Sequence, residues 1–242
     1  YSFVSNFQVA SNPQIIKSYA TDDKKYMNNL VIRTSKFSFI LLFILTLPVI
    51  METEYILQLW LKLVPEYTVI FTKLILIEAI IHSISGSLMA AVSATGNIRL
   101  YQLVIGGFSL LILPISYLFL TKGYLPKSTF MVSISFAVLA FIFRLIFIKK
   151  QIPEFSISQF IQEVLVRNIP VVMLSLIIPL MLLSNMHPGL TRLSLVVLTS
   201  FSISIITFYC IGMKNNEKLF VKNALMSARN NMYKVIANYR KK

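Results

Sequence analysis

The sequence is poor in the residues that most enzyme and metal sites require. It has one cysteine, two histidines and only 13% charged residues in 242 positions. The single Cys210 excludes a disulfide within the chain, and it lies in an apolar run, where a lone cysteine is usually a small packing residue. The sequence contains no serine-nucleophile motif, phosphate loop, dinucleotide fingerprint or cysteine–histidine metal spacing. We therefore expect a protein that is not an enzyme and that binds no metal or cofactor.

The sequence is low in charged residues and correspondingly rich in apolar ones. The chain is 56% hydrophobic with a mean hydropathy of +0.74, whereas soluble domains have about 25% charged residues. A bilayer core about 30 Å thick needs about 20 residues of apolar helix. The sequence therefore predicts an all-α polytopic membrane protein, a helical bundle within residues 1–213 with a partial N-terminal helix. Its six crossings are expected at about 34–52, 68–92, 100–120, 128–148, 169–185 and 193–213.

The basic residues fall mainly in every second connection between these runs. Of the 23 lysines and arginines, 18 lie in alternate regions that include both termini, and four lie in the other connections. The positive-inside rule therefore predicts that both ends of the chain are cytoplasmic. Topology thus explains the net charge of +14, and no nucleic-acid partner is expected. The basic tail, 214–242, is either an amphipathic helix on the anionic inner leaflet or a disordered segment that fixes topology.

The first 36 residues indicate a helix end, a connector and the start of a second helix. Pro13 is expected to limit or kink the first helix, because it lacks an amide donor. Asp22 and Asp23 supply capping groups for the second helix. Residue 1 is tyrosine, and residues 1–10 already have the pattern of a helix end. We expect the chain to be a fragment whose N-terminal part is missing.

The first outer connection has an unusual pattern. Residues 57–64 alternate polar and apolar side chains, which is typical of a strand. An open strand at membrane depth would leave backbone groups unpaired, so we expect a turn or short helix at the interface, where aromatic residues such as Trp60 are favoured.

Prolines mark several of the predicted crossings. Pro170 suits the first turn of the fifth crossing. Three other prolines lie inside crossings, where neighbouring helices can compensate the freed carbonyls. These three residues are Pro48, Pro114 and Pro179. Each acts either as a packing kink or as a moving hinge.

The most informative polar residues lie in the second crossing. Glu78 and His82 are four residues apart, so a helix places them on one face. Ionisable side chains in a crossing are costly, and they usually face a bundle interior or a water-filled cavity. The pair is either a proton-responsive group in such a cavity or a structural hydrogen bond between helices. Lys73 either extends to the outer interface or makes a cavity cationic.

Three arginines, Arg99, Arg144 and Arg167, stand near the cytoplasmic ends of predicted crossings. Arg144 is close enough to the end of its crossing to extend its guanidinium to the interface. Arginine is also the residue best suited to bind a diphosphate, through paired hydrogen bonds. If the three converge, they form an anion-attracting vestibule at the inner face.

Four short sequence segments at predicted helix boundaries resemble those of a known family. They are residues 12–20 (NPQIIKSYA), 59–67 (LWLKLVPEY), 94–102 (ATGNIRLYQ) and 113–117 (LPISY). In this order and spacing, they resemble the C-terminal half of a Wzx-type polysaccharide or O-antigen flippase. That type belongs to the MATE-like multidrug/oligosaccharidyl-lipid/polysaccharide transporter superfamily. The resemblance covers residues 1–150 well and the last two crossings by hydropathy only.

The resemblance implies two similar helical lobes around a central cavity, with this chain as most of the second lobe. It implies alternating access, by which a polyprenyl-diphosphate-linked oligosaccharide crosses the bacterial inner membrane as a repeat unit of O-antigen, capsule or exopolysaccharide. The implied partners are this substrate, membrane lipids, the missing N-terminal lobe and other glycan-assembly proteins. The family pattern transfers no single substrate residue. The pathway candidates therefore remain those found from the sequence: Lys73, Glu78, His82, Arg99, Arg144 and Arg167.

Other functions fit the same pattern of helices. A multidrug exporter of the same superfamily shares the expected fold but favours organic cations. An integral-membrane glycan polymerase needs a large outer loop with catalytic residues, and the longest outer connection here is about 52–67. A non-transporting membrane scaffold would tolerate replacement of both Glu78 and His82.

Overall fold

The computed structural model describes residues 2–219, 221–223 and 226, and all regular elements within them are helices. Six of these helices are long and apolar enough to cross a membrane, which confirms the predicted all-α polytopic bundle. The elements are α1 (Ser2–Ala20), α2 (Lys24–Met51), α3 (Thr53–Leu61), α4 (Thr68–Ala94), α5 (Arg99–Thr121), α6 (Lys127–Gln151), α7 (Ile157–Phe160), the π-helical turn π1 (Ile161–Leu165), a 3-10 turn (Val166–Asn168), α8 (Ile169–Asn185), α9 (Leu190–Thr207) and a second π-helical turn π2 (Phe208–Gly212).

The spans are longer than the predicted crossings. The first begins at Lys24 rather than near 34, and the fifth begins at Ile157 rather than at 169. Both extensions are helical turns that mix polar and apolar residues and precede a continuous apolar run. The Asp23 side chain caps α2, as predicted, because its Oδ1 accepts a hydrogen bond of 3.0 Å from the Tyr26 amide. Lys36, which is at the edge of the predicted crossing, therefore lies about three turns inside the span.

Two predictions about the ends of the chain have different outcomes. Of the two effects expected of Pro13, a limit or a kink, the limit is wrong, because α1 continues through the proline to Ala20. α1 packs against α2 and α4, and these contacts hold the helix together across the proline. The prediction for the tail at 214–242 falls largely on positions outside the described residues.

The short connection after α2 is helical. Residues Thr53–Leu61 form α3, which confirms the preference for an interfacial helix over a strand. Trp60 is 78% exposed at its end, as expected for an aromatic residue at a membrane interface. Pro170 also lies in the first turn of α8, as predicted.

The helices run antiparallel, so the connections fall at two ends of the bundle. The basic end contains the connections at 21–23, 95–98, 152–156 and 213–214. A hydrogen bond of 3.0 Å from the Asn28 Nδ2 to the Glu154 carbonyl joins two of its segments. The far end contains the connections at 52–67, 122–126 and 186–189.

Helix α2 is the centre of the packing. It contacts α1, α4, α8, α9 and π1, whereas α5 packs mainly against α6. Small hydroxyl side chains allow α2 and α4 to approach closely. Ser35 donates to the Ile84 carbonyl over 2.8 Å and also contacts the Ser87 hydroxyl, and Ser87 donates to the Val31 carbonyl over 3.1 Å. These interhelical bonds fix the position of α4 relative to α2.

Helix α4 also approaches α1 closely, at Gly86. The Gln8 Nε2 donates to the Ser83 carbonyl over 2.7 Å, and its side-chain amide lies against Gly86. A Cβ atom at Gly86 would be 2.0 Å from the Gln8 Oε1. The absent side chain thus makes room for a polar contact between the two helices.

We expect Gly86→Leu to lower the free energy of unfolding by about 1–3 kcal/mol, because the new side chain displaces Gln8 and separates α1 from α4. Gly106→Leu is the matched control, since no atom lies within 4 Å of a Cβ built there. The melting temperatures of Gly86→Leu and Gly106→Leu are compared after both variants are solubilised in detergent. Equal melting temperatures would contradict the packing described at Gly86.

Candidate functional site

The Glu78–His82 pair lies near the middle of α4, the helix that packs against α1, α2 and α6. The His82 Nε2 is 3.6 Å from the Glu78 Oε1. The Ser133 hydroxyl of α6 donates to the same oxygen over 2.6 Å. The His82 and Glu78 side chains remain 38% and 21% exposed. The site therefore combines a hydrogen bond between helices with a partly exposed ionisable pair.

The structure places Lys73 and Arg99 without partners. Lys73 is half-buried on α4, and Arg99 is exposed at the first residue of α5. Neither side chain has a hydrogen bond or ion pair within the part of the chain that the structure describes. Both remain cations that are available to a ligand or to lipid headgroups.

Arg144 does not extend to the surface of the bundle. It is 7% exposed, and its Nε donates to the Tyr101 hydroxyl of α5 over 2.9 Å. Its Nη1 is buried and has no hydrogen-bond partner in the described part of the chain. Arg144 thus joins α5 to α6 and keeps one guanidinium nitrogen unsatisfied inside the basic end.

Arg167 has a third, separate set of partners. Its Nε donates to the Ile211 carbonyl over 3.1 Å, and its Nη1 is 3.8 Å from the Glu163 Oε2. The carbonyl belongs to π2, so the guanidinium joins the fifth span to the end of the sixth. Arg99, Arg144 and Arg167 share no protein partner among the described residues.

Arg167 belongs to a larger network of charges that sequence reasoning missed. We call it the basic-end network, and its members are Lys36, Glu163, Arg167, Lys214 and Glu217. The Lys36 Nζ is 2.7 Å from the Glu217 Oε2, which also accepts a hydrogen bond of 2.7 Å from the Lys214 amide. The Lys214 ammonium pairs with Glu163. Because Lys36 is 0% exposed, its charge depends on this pairing.

A signal for this network is present in the sequence. Glu217 is the only acidic residue after Glu163, within an otherwise basic tail. Glu163 and Arg167 have the four-residue spacing of a helical ion pair. Lys36 lies at the edge of the predicted crossing at about 34–52, where a cation needs no partner, so the sequence does not indicate it as the third member.

A second buried ion pair lies at the far end. Arg192, in the first turn of α9, binds Glu52 through two parallel hydrogen bonds, Nε–Oε1 at 2.7 Å and Nη2–Oε2 at 2.8 Å. Glu52 is 1% exposed and follows the last residue of α2. The Arg192 Nη1 also donates to the Met186 carbonyl over 3.1 Å. This far-end pair connects the end of α2 to α9 and, through Arg192, to the connection between α8 and α9.

The basic-end network borders a polar cavity of about 260 Å³. Its walls include hydroxyl, amide, carboxylate and cationic side chains from α2, π1 and the start of the tail, among them Tyr26, Asn29, Arg33, Glu163, Lys214 and Glu217. The cavity can receive a polar ligand at the basic end of the bundle. Within the described residues, no group of three or more histidine, cysteine or acidic side chains is arranged to hold a metal ion.

We expect Arg192→Met to lower the free energy of unfolding by about 3–5 kcal/mol, because it leaves the Glu52 carboxylate buried without a partner. The double variant Arg192→Met/Glu52→Gln should regain most of this loss. Arg99→Met is the control, since that arginine is exposed and unpartnered among the described residues. SDS titration measures the unfolding of these three variants, of the single variant Glu52→Gln and of the unaltered chain. Strictly additive effects of the two substitutions would contradict a coupled pair.

Comparisons with family models, with curated proteins and with solved structures found no match to this chain. We therefore base the functional conclusion on the geometry and charge of the described helices and on the sequence patterns above.

Proposed function

We propose that the chain is the second lobe of a lipid-linked oligosaccharide flippase in the bacterial inner membrane. It moves a polyprenyl-diphosphate-linked repeat unit from the cytoplasmic to the outer leaflet by alternating access. The basic end faces the cytoplasm, because most lysines and arginines lie there. The observation that carries the proposal is a partly exposed Glu78–His82 pair at mid-membrane depth in an apolar bundle.

The depth of the pair supports a polar pathway. Glu78 is ten residues from the start of α4 at Thr68, about 15 Å along the helix, which is half the thickness of a bilayer core. A charged or protonatable group at this depth requires water, a partner or a ligand. Ser133 satisfies only one oxygen of the carboxyl group. The exposed remainder of the pair is suited to line a wet passage for a hydrated glycan.

The cations of the basic end support an anionic substrate. Arg99 is exposed, and the Arg144 Nη1 has no hydrogen-bond partner among the described residues. Arg33 and Lys214 line the polar cavity at the same end of the bundle. A diphosphate attached to a lipid carries negative charge and many acceptor oxygens, which guanidinium groups bind well. Its hydrocarbon tail needs no polar passage and can stay in the bilayer.

Irregular helical turns support a change of conformation. The fifth span contains π1, a 3-10 turn and the interior Pro179, and the sixth ends in π2. Such interruptions are often found at functional sites and allow a helix to repack without unfolding. Both π turns lie at the basic end, where the substrate would enter.

A second function is favoured by one observation. Glu78 is a partly exposed carboxylate at mid-membrane depth, the type of group that binds an organic cation. An exporter of cationic compounds from the same superfamily would use it directly. The two functions differ in the charge of the cargo, and a transport assay separates them.

We expect Glu78→Gln and His82→Ala each to reduce flipping by about tenfold or more, because each removes an ionisable group from the passage. Glutamine can still accept the Ser133 hydrogen bond, so Glu78→Gln removes the charge and keeps the interhelical contact. Ser133→Ala is the matched variant that removes only the contact. Flipping is measured with the full-length protein in vesicles, as the loss of inner-leaflet polyprenyl-diphosphate oligosaccharide.

Normal flipping by Glu78→Gln together with loss in Ser133→Ala would show that Glu78 has only a structural role. Full activity in all three variants would remove the pair from the mechanism. Expulsion of an organic cation, with no movement of the lipid-linked sugar, would favour the exporter instead.

A further inference from the structure

A long apolar groove lies between α5 and α6 at the far end of the bundle. Its volume is about 530 Å³, and most of its walls are large apolar side chains, including Ile115, Phe119, Leu125, Met131 and Phe136. Lys127 and Ser128 also line it. α5 packs mainly against α6, so the groove opens toward the surface of the bundle.

The groove has the length of one bilayer leaflet. Its lining on α6 extends over ten residues, from Lys127 to Phe136, which is nine helical steps. That distance is about 14 Å along the helix, and half of a bilayer core is about 15 Å. A single hydrocarbon chain that starts at the interface and ends near mid-membrane fits this space.

The interfacial end of the groove is cationic. Lys122 and Lys127 are exposed, and neither side-chain ammonium group has an ion pair or hydrogen bond within the described residues. The connection at 121–128 contains no acidic residue. α6 begins at Lys127 without a side-chain cap, so the positive end of its dipole adds to the two ammonium groups.

A buried hydroxyl points to a ligand at the same place. Ser128 lines the groove and is 9% exposed. Its Oγ has no hydrogen-bond partner in the described part of the chain. A buried hydroxyl normally has a partner, and an acceptor oxygen of a ligand headgroup would provide it.

We propose that this groove is a binding site for an anionic phospholipid of the leaflet at the far end. One acyl chain occupies the groove, while Lys122, Lys127 and Ser128 bind the phosphate. The lipid fills a space that α5 and α6 leave open, and it links the two helices at their shared connection. This site is separate from the Glu78–His82 pair, and it does not depend on the transport function.

The experiment uses native mass spectrometry of the chain extracted from membranes and exchanged into equal amounts of phosphatidylglycerol and phosphatidylcholine. We expect one phosphatidylglycerol to be retained per chain, in clear preference to phosphatidylcholine. Each lysine near an anionic lipid contributes about fivefold to binding. Lys122→Gln/Lys127→Gln should therefore reduce the preference by an order of magnitude or more, and Ser128→Ala should reduce it less.

The matched control is Lys25→Gln/Lys150→Gln, which removes two exposed lysines from the basic end. It should leave the retained phosphatidylglycerol unchanged, and circular dichroism checks that all variants are folded. Met131→Trp fills the groove without a change of charge and should also release the lipid. Equal retention of the two lipids, or an unchanged preference in Lys122→Gln/Lys127→Gln, would overturn the proposal. Displacement of phosphatidylglycerol by a trace of polyprenyl phosphate would assign the groove to a different lipid and overturn the occupant named here.

Discussion

The structure depends on the pairing of two charges that are buried along α2, one near its middle and one directly after its last residue. Lys36 lies inside this helix and Glu52 follows it, 16 residues apart, which is about 24 Å. Neither group can remain ionised in an apolar environment without a partner, and each finds one beyond the fifth span: Glu217 for Lys36 and Arg192 for Glu52. Arg192 lies at the start of the sixth span and Glu217 follows its end, so the two pairs attach both ends of this span to α2.

This arrangement explains which parts of the bundle are fixed and which are open. α2 is held to α4 by the hydroxyl bonds of Ser35 and Ser87, and to the last spans by its ion pairs. α5 lies at the edge and packs mainly against α6. The polar pair of α4 thus has a rigid support on the α2 side, while its own side chains remain partly exposed.

Hydropathy was sufficient to predict the six spans, because the physical requirement is only length and apolarity. It placed the first span too late, since charged and amide side chains are interspersed among the apolar ones in residues 24–33, although these residues continue the helix from the Asp23 cap. Lys36 lies at the edge of the predicted crossing, and its partner could not be found because it is 181 residues away in the sequence. Spacing predicted the contact of Glu78 with His82, but nothing local indicates Ser133 as the donor from α6. Contacts between helices that are far apart in the sequence depend on how those helices pack. The periodicity of the sequence gives no information on that packing.

The most direct test of the proposed function is the lipid content of cells that lack the full-length gene. Polyprenyl-diphosphate lipids are extracted, and their sidedness is determined with a membrane-impermeant reagent. The account predicts that a complete repeat unit accumulates on the cytoplasmic side and that the restored gene relieves it. Normal levels and sidedness of these lipids, with lost resistance to cationic compounds, would contradict it.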